Sequence, residues 1–184
     1  VLVFHALITY GSILSFFKLS PIIFFRKLRE VLLFAFSTSS SSATMPLTLK
    51  TVKEKLGVDQ SVASFCIPLG ATINMDGTAI MQGIATVFIA QAYGVDLQIT
   101  DYLMVILTAT LASIGTAGVP GVGLIMLAMV LQQVGLPVEG IALIIGVDRL
   151  LDMIRTAVNV SGDSMIACII SSTQGSLNKS KFFD

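Results

Sequence analysis

The 184-residue chain is 54% hydrophobic, only 12% charged, and carries 11 basic against 11 acidic residues for a formal net charge of +0; its mean hydropathy is +0.90. About a quarter of the residues of an average soluble domain are charged, so this composition belongs in a bilayer, and its charge balance argues against a nucleic-acid partner or an acidic interaction tail. Cys66 and Cys168 lie in apolar stretches without metal-type spacing and read as small buried hydrophobes.

The chain opens at Val1 inside an apolar run, with no initiator Met and no signal-peptide layout, and reads as a piece of a longer protein. Residues 1–19 look like the end of a spanning helix that enters from outside and stops at Lys18. Basic residues then cluster from Lys18 to Arg29, from Lys50 to Lys55, and at Lys179 and Lys181, whereas no Lys or Arg occurs from Leu56 to Asp148. By the positive-inside rule the three basic clusters face the cytoplasm, and the loops around Asp96, Asp101 and Glu139 face outward.

Residues 20–56 hold two apolar arms, 30–36 and 44–49, on either side of a serine-rich tip. Each arm is too short to span, and basic residues stand at both outer ends, so the segment is expected to be a re-entrant hairpin from the cytoplasmic side. Residues 57–95 follow as a spanning helix, apolar over 61–93 and punctuated near Asn74. Residues 96–136 read as a second hairpin entering from outside, with arms 102–114 and 123–134 around a glycine-rich tip. Residues 137–175 form the last spanning helix, apolar over 137–172, and residues 176–184 a cytoplasmic tail. The expected fold is an all-α integral membrane protein with two oppositely oriented re-entrant hairpins, each followed by a long helix with a polar interruption. Such inverted repeats place a binding site near the bilayer midplane. Polar backbone at that depth is tolerated only when buried in protein or lining a cavity, so the two tips and the breaks should meet.

Four stretches carry the chemistry. In the last helix Asp148, Asp152, Arg155, Thr156, Asn159 and Asp163 fall within an arc of roughly 100° at helical periodicity. A charge in mid-membrane costs about 2.5 to 3.5 kcal/mol on insertion scales, and three acids against one arginine leave negative charge that a cation could satisfy; Arg149 lies at the stripe's edge without a firm role. The run from Gly70 to Thr78 brings Asn74 and Asp76 together with two glycines, which weakens a helix and frees carbonyl oxygens. Oxygen-only donors suit a hard cation such as sodium. The tip from Ser37 to Pro46 offers hydroxyls and the N–H groups of a helix start, a setting that favours a carboxylate. The tip from Gly115 to Gly123 has no side chain for chemistry and reads as a gate. His5, the only histidine, is expected to be a packing or interface residue.

These elements, in this order and spelling, resemble the dicarboxylate/amino acid:cation symporter family, which includes glutamate, aspartate and neutral amino acid transporters. The matching residues are the tip from Ser39 to Pro46, Asn74-Met75-Asp76-Gly77-Thr78, the run from Ser113 to Gly121, and the stripe from Asp148 to Asp163. The similarity covers nearly the whole chain, but only the C-terminal half of the family's architecture. It implies that Asp152 receives a substrate's amino group and Arg155 its side-chain carboxylate, with Asp148 orienting Arg155. Asn159, Ser39 and Ser41 would hold the α-carboxylate, and Thr78, Thr156, Gly118 and Val119 would complete the pocket. One sodium ion would sit on Asp163 with backbone oxygens of Gly70, Asn74 and Asn159. A second would use carbonyls at Thr72, Ser113, Ile114 and Thr116, and a third Asn74 and Asp76.

The implied activity is elevator-type sodium symport of an acidic amino acid at the plasma (inner) membrane, not enzymatic, with Na+ as co-transported ion and no organic cofactor. A homotrimer would assemble through scaffold helices outside this chain. Arg155 argues for an acidic substrate, since neutral-amino-acid relatives lack arginine here. Gln82 stands where animal glutamate transporters, which also move a proton, carry glutamate. A dicarboxylate or neutral amino acid carrier of the same family, or an ion channel with re-entrant loops, remain alternatives.

Overall fold

The computed structural model describes residues 1–184, and every regular element in it is a helix. The chain begins with α1 (Leu2–Phe4), a π-helical stretch (His5–Tyr10) and α2 (Gly11–Phe16), continuous through helical backbone at Phe4, Tyr10 and Gly11. Ser20 then caps α3 (Pro21–Thr38) by accepting from Ile23 N, with Pro21 in the first turn where its missing N–H costs nothing. Phe24, Leu28, Val31 and Ala35 recur at three- and four-residue intervals and form the buried stripe of α3.

α3 ends at Ser39, whose φ of 51° is the left-handed conformation that stops a helix. Ser40 at once caps α4 (Ser41–Glu54), its Oγ accepting from Ala43 N at 3.1 Å. These helices pair as the first hairpin and rest on α5 (Gln60–Ile73) and α9 (Ala142–Thr173). Their 18 and 14 residues exceed the apolar arms expected from sequence. The caps start each helix early, and the charged outer turns around Lys27 and Lys53 stay helical because they only need one buried face.

The expected break near Asn74 is present. Asn74 (ψ 76°) and Met75 (ψ 52°) leave the helical region between α5 and α6 (Asp76–Ala92). The second hairpin is α7 (Ile99–Ser113), entered through a Gln98 N to Asp101 Oδ2 bond of 2.8 Å, and α8 (Val122–Gln133). It rests chiefly on α6. A 3-10 turn (Val138–Ile141) leads into α9, and α10 (Lys179–Phe183) ends the chain.

α9 is one unbroken helix of 32 residues; its polar side chains turn to one buried face, so the backbone ladder stays intact. No helix is long and apolar enough to cross a membrane. Residues 61–93 divide into helices of 14 and 17 residues. α9 would measure about 48 Å at 1.5 Å per residue, but it carries Asp148, Arg149, Asp152, Arg155 and Asp163.

One apolar cluster, with Phe24, Leu28, Leu56, Ile67 and Phe182 at its centre, joins the first hairpin to α5 and α9. A smaller one, with Met81, Ile89, Leu127 and Ile144, ties the second hairpin to α6. Both cysteines are free and buried.

At the start of α5, outside the buried helices, Asp59 accepts from the Ser61 hydroxyl and from the backbone N–H of Ser61 and Val62. The Ser61 side-chain bond above all, then its N–H, holds the carboxyl below the ordinary aspartate range. A depressed folded-state value means the cap is fully present above the ordinary aspartate pKa of about 3.9 and is lost as pH falls through the lower folded value. Amide protection at Ser61 and Val62 should therefore be flat from neutral pH to about 5 and decline only in stronger acid. Asp59→Ala should remove it at every pH, as hydrogen exchange would report.

Candidate functional site

The stripe on α9 is buried throughout: none of Asp148, Asp152, Arg155, Thr156, Asn159 and Asp163 is more than 7% exposed. Arg149, one residue off the stripe, is exposed. Arg155 is clamped between two carboxylates, Nε donating to Asp152 Oδ1 at 2.9 Å and Nη1 to Asp148 Oδ1 at 3.4 Å. The second oxygen of Asp152 accepts from Gly121 N at 2.9 Å, so the second hairpin's tip is tied to the stripe. Gly123 lies flat on the guanidinium: a Cβ there would stand 2.6 Å from Cζ and from both terminal nitrogens.

Over this stripe the two hairpin tips touch. Gly118 O accepts from Ser42 N at 3.1 Å and from Ser40 Oγ at 2.7 Å. Beneath the contact lies a cavity of about 20 Å³ lined by Ser39, Ser41, Met75, Thr78, Thr116, Ala117, Gly118, Val119, Gly123, Asp152, Arg155, Thr156 and Asn159. All of the residues named from sequence for the substrate thus converge. Thr116, named from sequence for a cation, joins them, as do Met75, Ala117 and Gly123, which lie in the motifs read from sequence without an expected role in the pocket. The volume holds about one water molecule, so admitting anything larger requires a tip to move. The Ser39 hydroxyl is buried without a hydrogen-bond partner, and its residue is in the left-handed conformation. Two larger clefts, of about 610 and 640 Å³, are lined mainly by apolar side chains and include none of the charged stripe.

A second polar cluster adjoins the cavity. Asp163 Oδ1 accepts from Asn74 Nδ2 at 2.9 Å, and its carboxylate lies so close to Gly70 that any side chain there would overlap it. Asn159 links the two clusters, accepting from Gly77 N at 2.8 Å and donating to Thr78 Oγ1 at 3.2 Å. Thr72, Ser113, Ile114 and Thr116 gather where the second tip meets the α5–α6 break: Gly115 N donates to Thr72 O at 2.8 Å, and Thr116 N to Ser113 O at 3.2 Å. No group of three or more His, Cys, Asp or Glu converges anywhere. The donors here are carbonyl, amide and single carboxylate oxygens, which fit a hard monovalent cation better than a transition metal.

Asp76 adds a polar partner to the packing expected of His5. His5 Nε2 lies 3.0 Å from Asp76 Oδ2, the Tyr10 hydroxyl donates to the same oxygen, and Gly77 N donates to Oδ1 at 2.9 Å. His5 is therefore a hydrogen-bond partner of Asp76 as well as a residue packed on Tyr10. The rings of His5 and Tyr10 meet edge to face at 4.8 Å. A five-residue spacing turns two side chains well apart on an α-helix, and only the wider π turn brings them to one face. An α-helical reading of the sequence therefore could not pair them.

Residues 1–173 match the sodium:dicarboxylate symporter family. The chain belongs to that family. It is 50% identical over 172 residues to an excitatory amino acid transporter of Caenorhabditis elegans, covering 92% of this chain and 34% of that protein. It is 46% identical over 170 residues to excitatory amino acid transporter 5 of Homo sapiens, covering 92% and 30%. Excitatory amino acid transporter 1 of Rattus norvegicus is 48% identical over 151 residues, covering 82% and 28%. These sodium:dicarboxylate symporter relatives are membrane transporters, not enzymes, and the chain spans about a third of their length.

The clamp on Arg155 predicts a stability effect separate from any transport assay. Arg155→Ala would leave Asp148 and Asp152 buried without their counter-charge, a loss on the order of 3–5 kcal/mol. Thermal denaturation of the full-length protein should show a clearly lower midpoint, partly restored by adding Asp152→Asn.

Proposed function

We propose that these residues form the substrate- and cation-holding part of a sodium-coupled symporter that carries an acidic amino acid across the plasma membrane. The observation that carries this reading is the Asp152–Arg155 pair on the wall of a polar cavity covered by both hairpin tips. Asp152 receives the substrate's ammonium, and Arg155 turns its planar fork to the side-chain carboxylate, a bidentate match that an ammonium of lysine would not give. Asn159, with Ser39, Ser41 and the positive end of α4, holds the α-carboxylate. Thr78, Thr156 and the backbone at Gly118 and Val119 close the pocket, and Asp148 keeps Arg155 oriented. A plain dicarboxylate would leave Asp152 without a counter-charge, so an amino acid with a distal carboxylate is the better fit. The names of the matched relatives agree with this choice.

Sodium ions travel as cargo in this reading. Asp163 with carbonyls of Gly70, Asn74 and Asn159 holds one, and a buried carboxylate with a single amide donor supports that assignment. Carbonyls at Thr72, Ser113, Ile114 and Thr116 hold a second, and Asn74 with Asp76 a third. The hairpins enter the bilayer from opposite sides, the second acts as the extracellular gate, and the unit travels as an elevator within a homotrimer whose scaffold helices lie outside residues 1–184.

Uptake of aspartate by the full-length protein in proteoliposomes should collapse when sodium is replaced by choline. A proton gradient alone should not sustain it, because Gln82 cannot titrate; persistence under those conditions refutes the coupling. Arg155→Thr should weaken aspartate by roughly thirtyfold or more, from loss of a buried charge pair, and move preference toward neutral amino acids in competition assays. Aspartate uptake unchanged by that substitution would sink the substrate assignment.

A further inference from the structure

Residues 174–184 lie beyond the stretch that matches the family, yet they are built into the molecule. After α9 the chain turns at Gly175 (φ 73°), and Asn178 N donates to Gly57 O at 2.8 Å. The Asn178 side chain caps α10 by accepting from Lys181 N at 3.0 Å. Gly57, at φ 71°, sits so near the Asn178 carbonyl that a Cβ would overlap it. Phe182 is 0% exposed and belongs to the same apolar cluster as Phe24 and Leu28 of α3 and Leu56 beyond α4. From α3, Lys27 Nζ donates to Lys55 O at 3.1 Å and also to Lys181 O. One ammonium thus holds the closing carbonyls of two helices, where partial negative charge collects. On the α9 side, Ser171 Oγ accepts from Asp59 N at 3.2 Å and pairs with Ser176 Oγ at 3.0 Å.

We propose that this tail is a strap that fastens the base of the first hairpin to the end of α9, so that α3, α4 and α9 move as one body. The hydrogen bonds that join the second hairpin to other elements all lie at its tip, among them those from Gly121 N to Asp152, from Gly115 N to Thr72 O and from Ser40 and Ser42 to Gly118 O, and none fastens its base. Its tip turns at Gly115 and Gly121, with φ of 81° and 82°, and nothing lies within 4 Å of where a Cβ would stand on either. The strap therefore makes two similar hairpins unequal at their bases: the first is fastened there by the tail, the second is not. The inference stands on these contacts alone and not on the identity of any substrate or ion.

Hydrogen exchange measured by mass spectrometry on the full-length protein tests it. Phe182→Ala empties the socket, and the milder Lys27→Met removes only the bridging ammonium; neither residue lines the polar cavity. In both variants exchange across residues 21–54 should accelerate, by about tenfold or more for Phe182→Ala, while α7 and α8 exchange as in the parent protein. Phe182→Leu should largely restore protection. Unchanged exchange over residues 21–54 in the two variants overturns the proposal. So does acceleration spread evenly over all helices, since the tail would then serve only general stability.

Discussion

The structure depends on one constraint: a guanidinium and three carboxylates must be kept out of water on a single face of α9. On insertion scales each such charge costs about 2.5 to 3.5 kcal/mol at mid-membrane, so four left alone would outweigh the net stability of many domains. Arg155 offsets part of this by sitting between Asp148 and Asp152, with Gly121 N taking the remaining oxygen of Asp152. Asp163, two turns further on, has only the amide of Asn74. The stripe therefore keeps an excess of negative charge after every internal pairing, and the surrounding elements are arranged around that excess.

Both hairpins serve this arrangement through their ends, not their lengths. The left-handed turn at Ser39 sets the start of α4 over the stripe, where Ser42 N and the Ser40 hydroxyl meet Gly118 O of the other tip. The second tip brings backbone rather than side chains: Gly118 and Gly123 let it approach the serines and the guanidinium closely, and Gly121, at φ 82°, supplies the turn that aims its N–H at Asp152. The break at Asn74 and Met75 has the same logic. Gly77 is pressed against Arg155 O and Asn159 Oδ1, so α6 could not begin there with any other residue without shifting α9.

Features expressed as side-chain periodicity or as helix-breaking composition were legible in the sequence. The buried face of α9, the break near Asn74 and the serine and glycine tips all follow from residue types and spacing. Features set by close packing were not. Gly123 looks like any glycine of a flexible tip until the guanidinium is seen lying on it. The Tyr10–His5–Asp76 group depends on a π turn, whose five-residue register no α-helical reading would test.

Asn159 joins the polar cavity to the start of α6. Asn159 lines the cavity with Arg155, yet its amide also bonds Gly77 N and Thr78 Oγ1 at the start of α6. Gly77 N in turn donates to Asp76, the carboxylate that Tyr10 and His5 reach. Any reorientation of Asp76 would disturb the first turn of α6 through Gly77 N, and with it the hydrogen bonds that hold Asn159 in the cavity wall. No long pathway is required, because the element that both clusters bias is the break between α5 and α6. That break has few regular hydrogen bonds of its own and is set instead by side chains from the regions on either side.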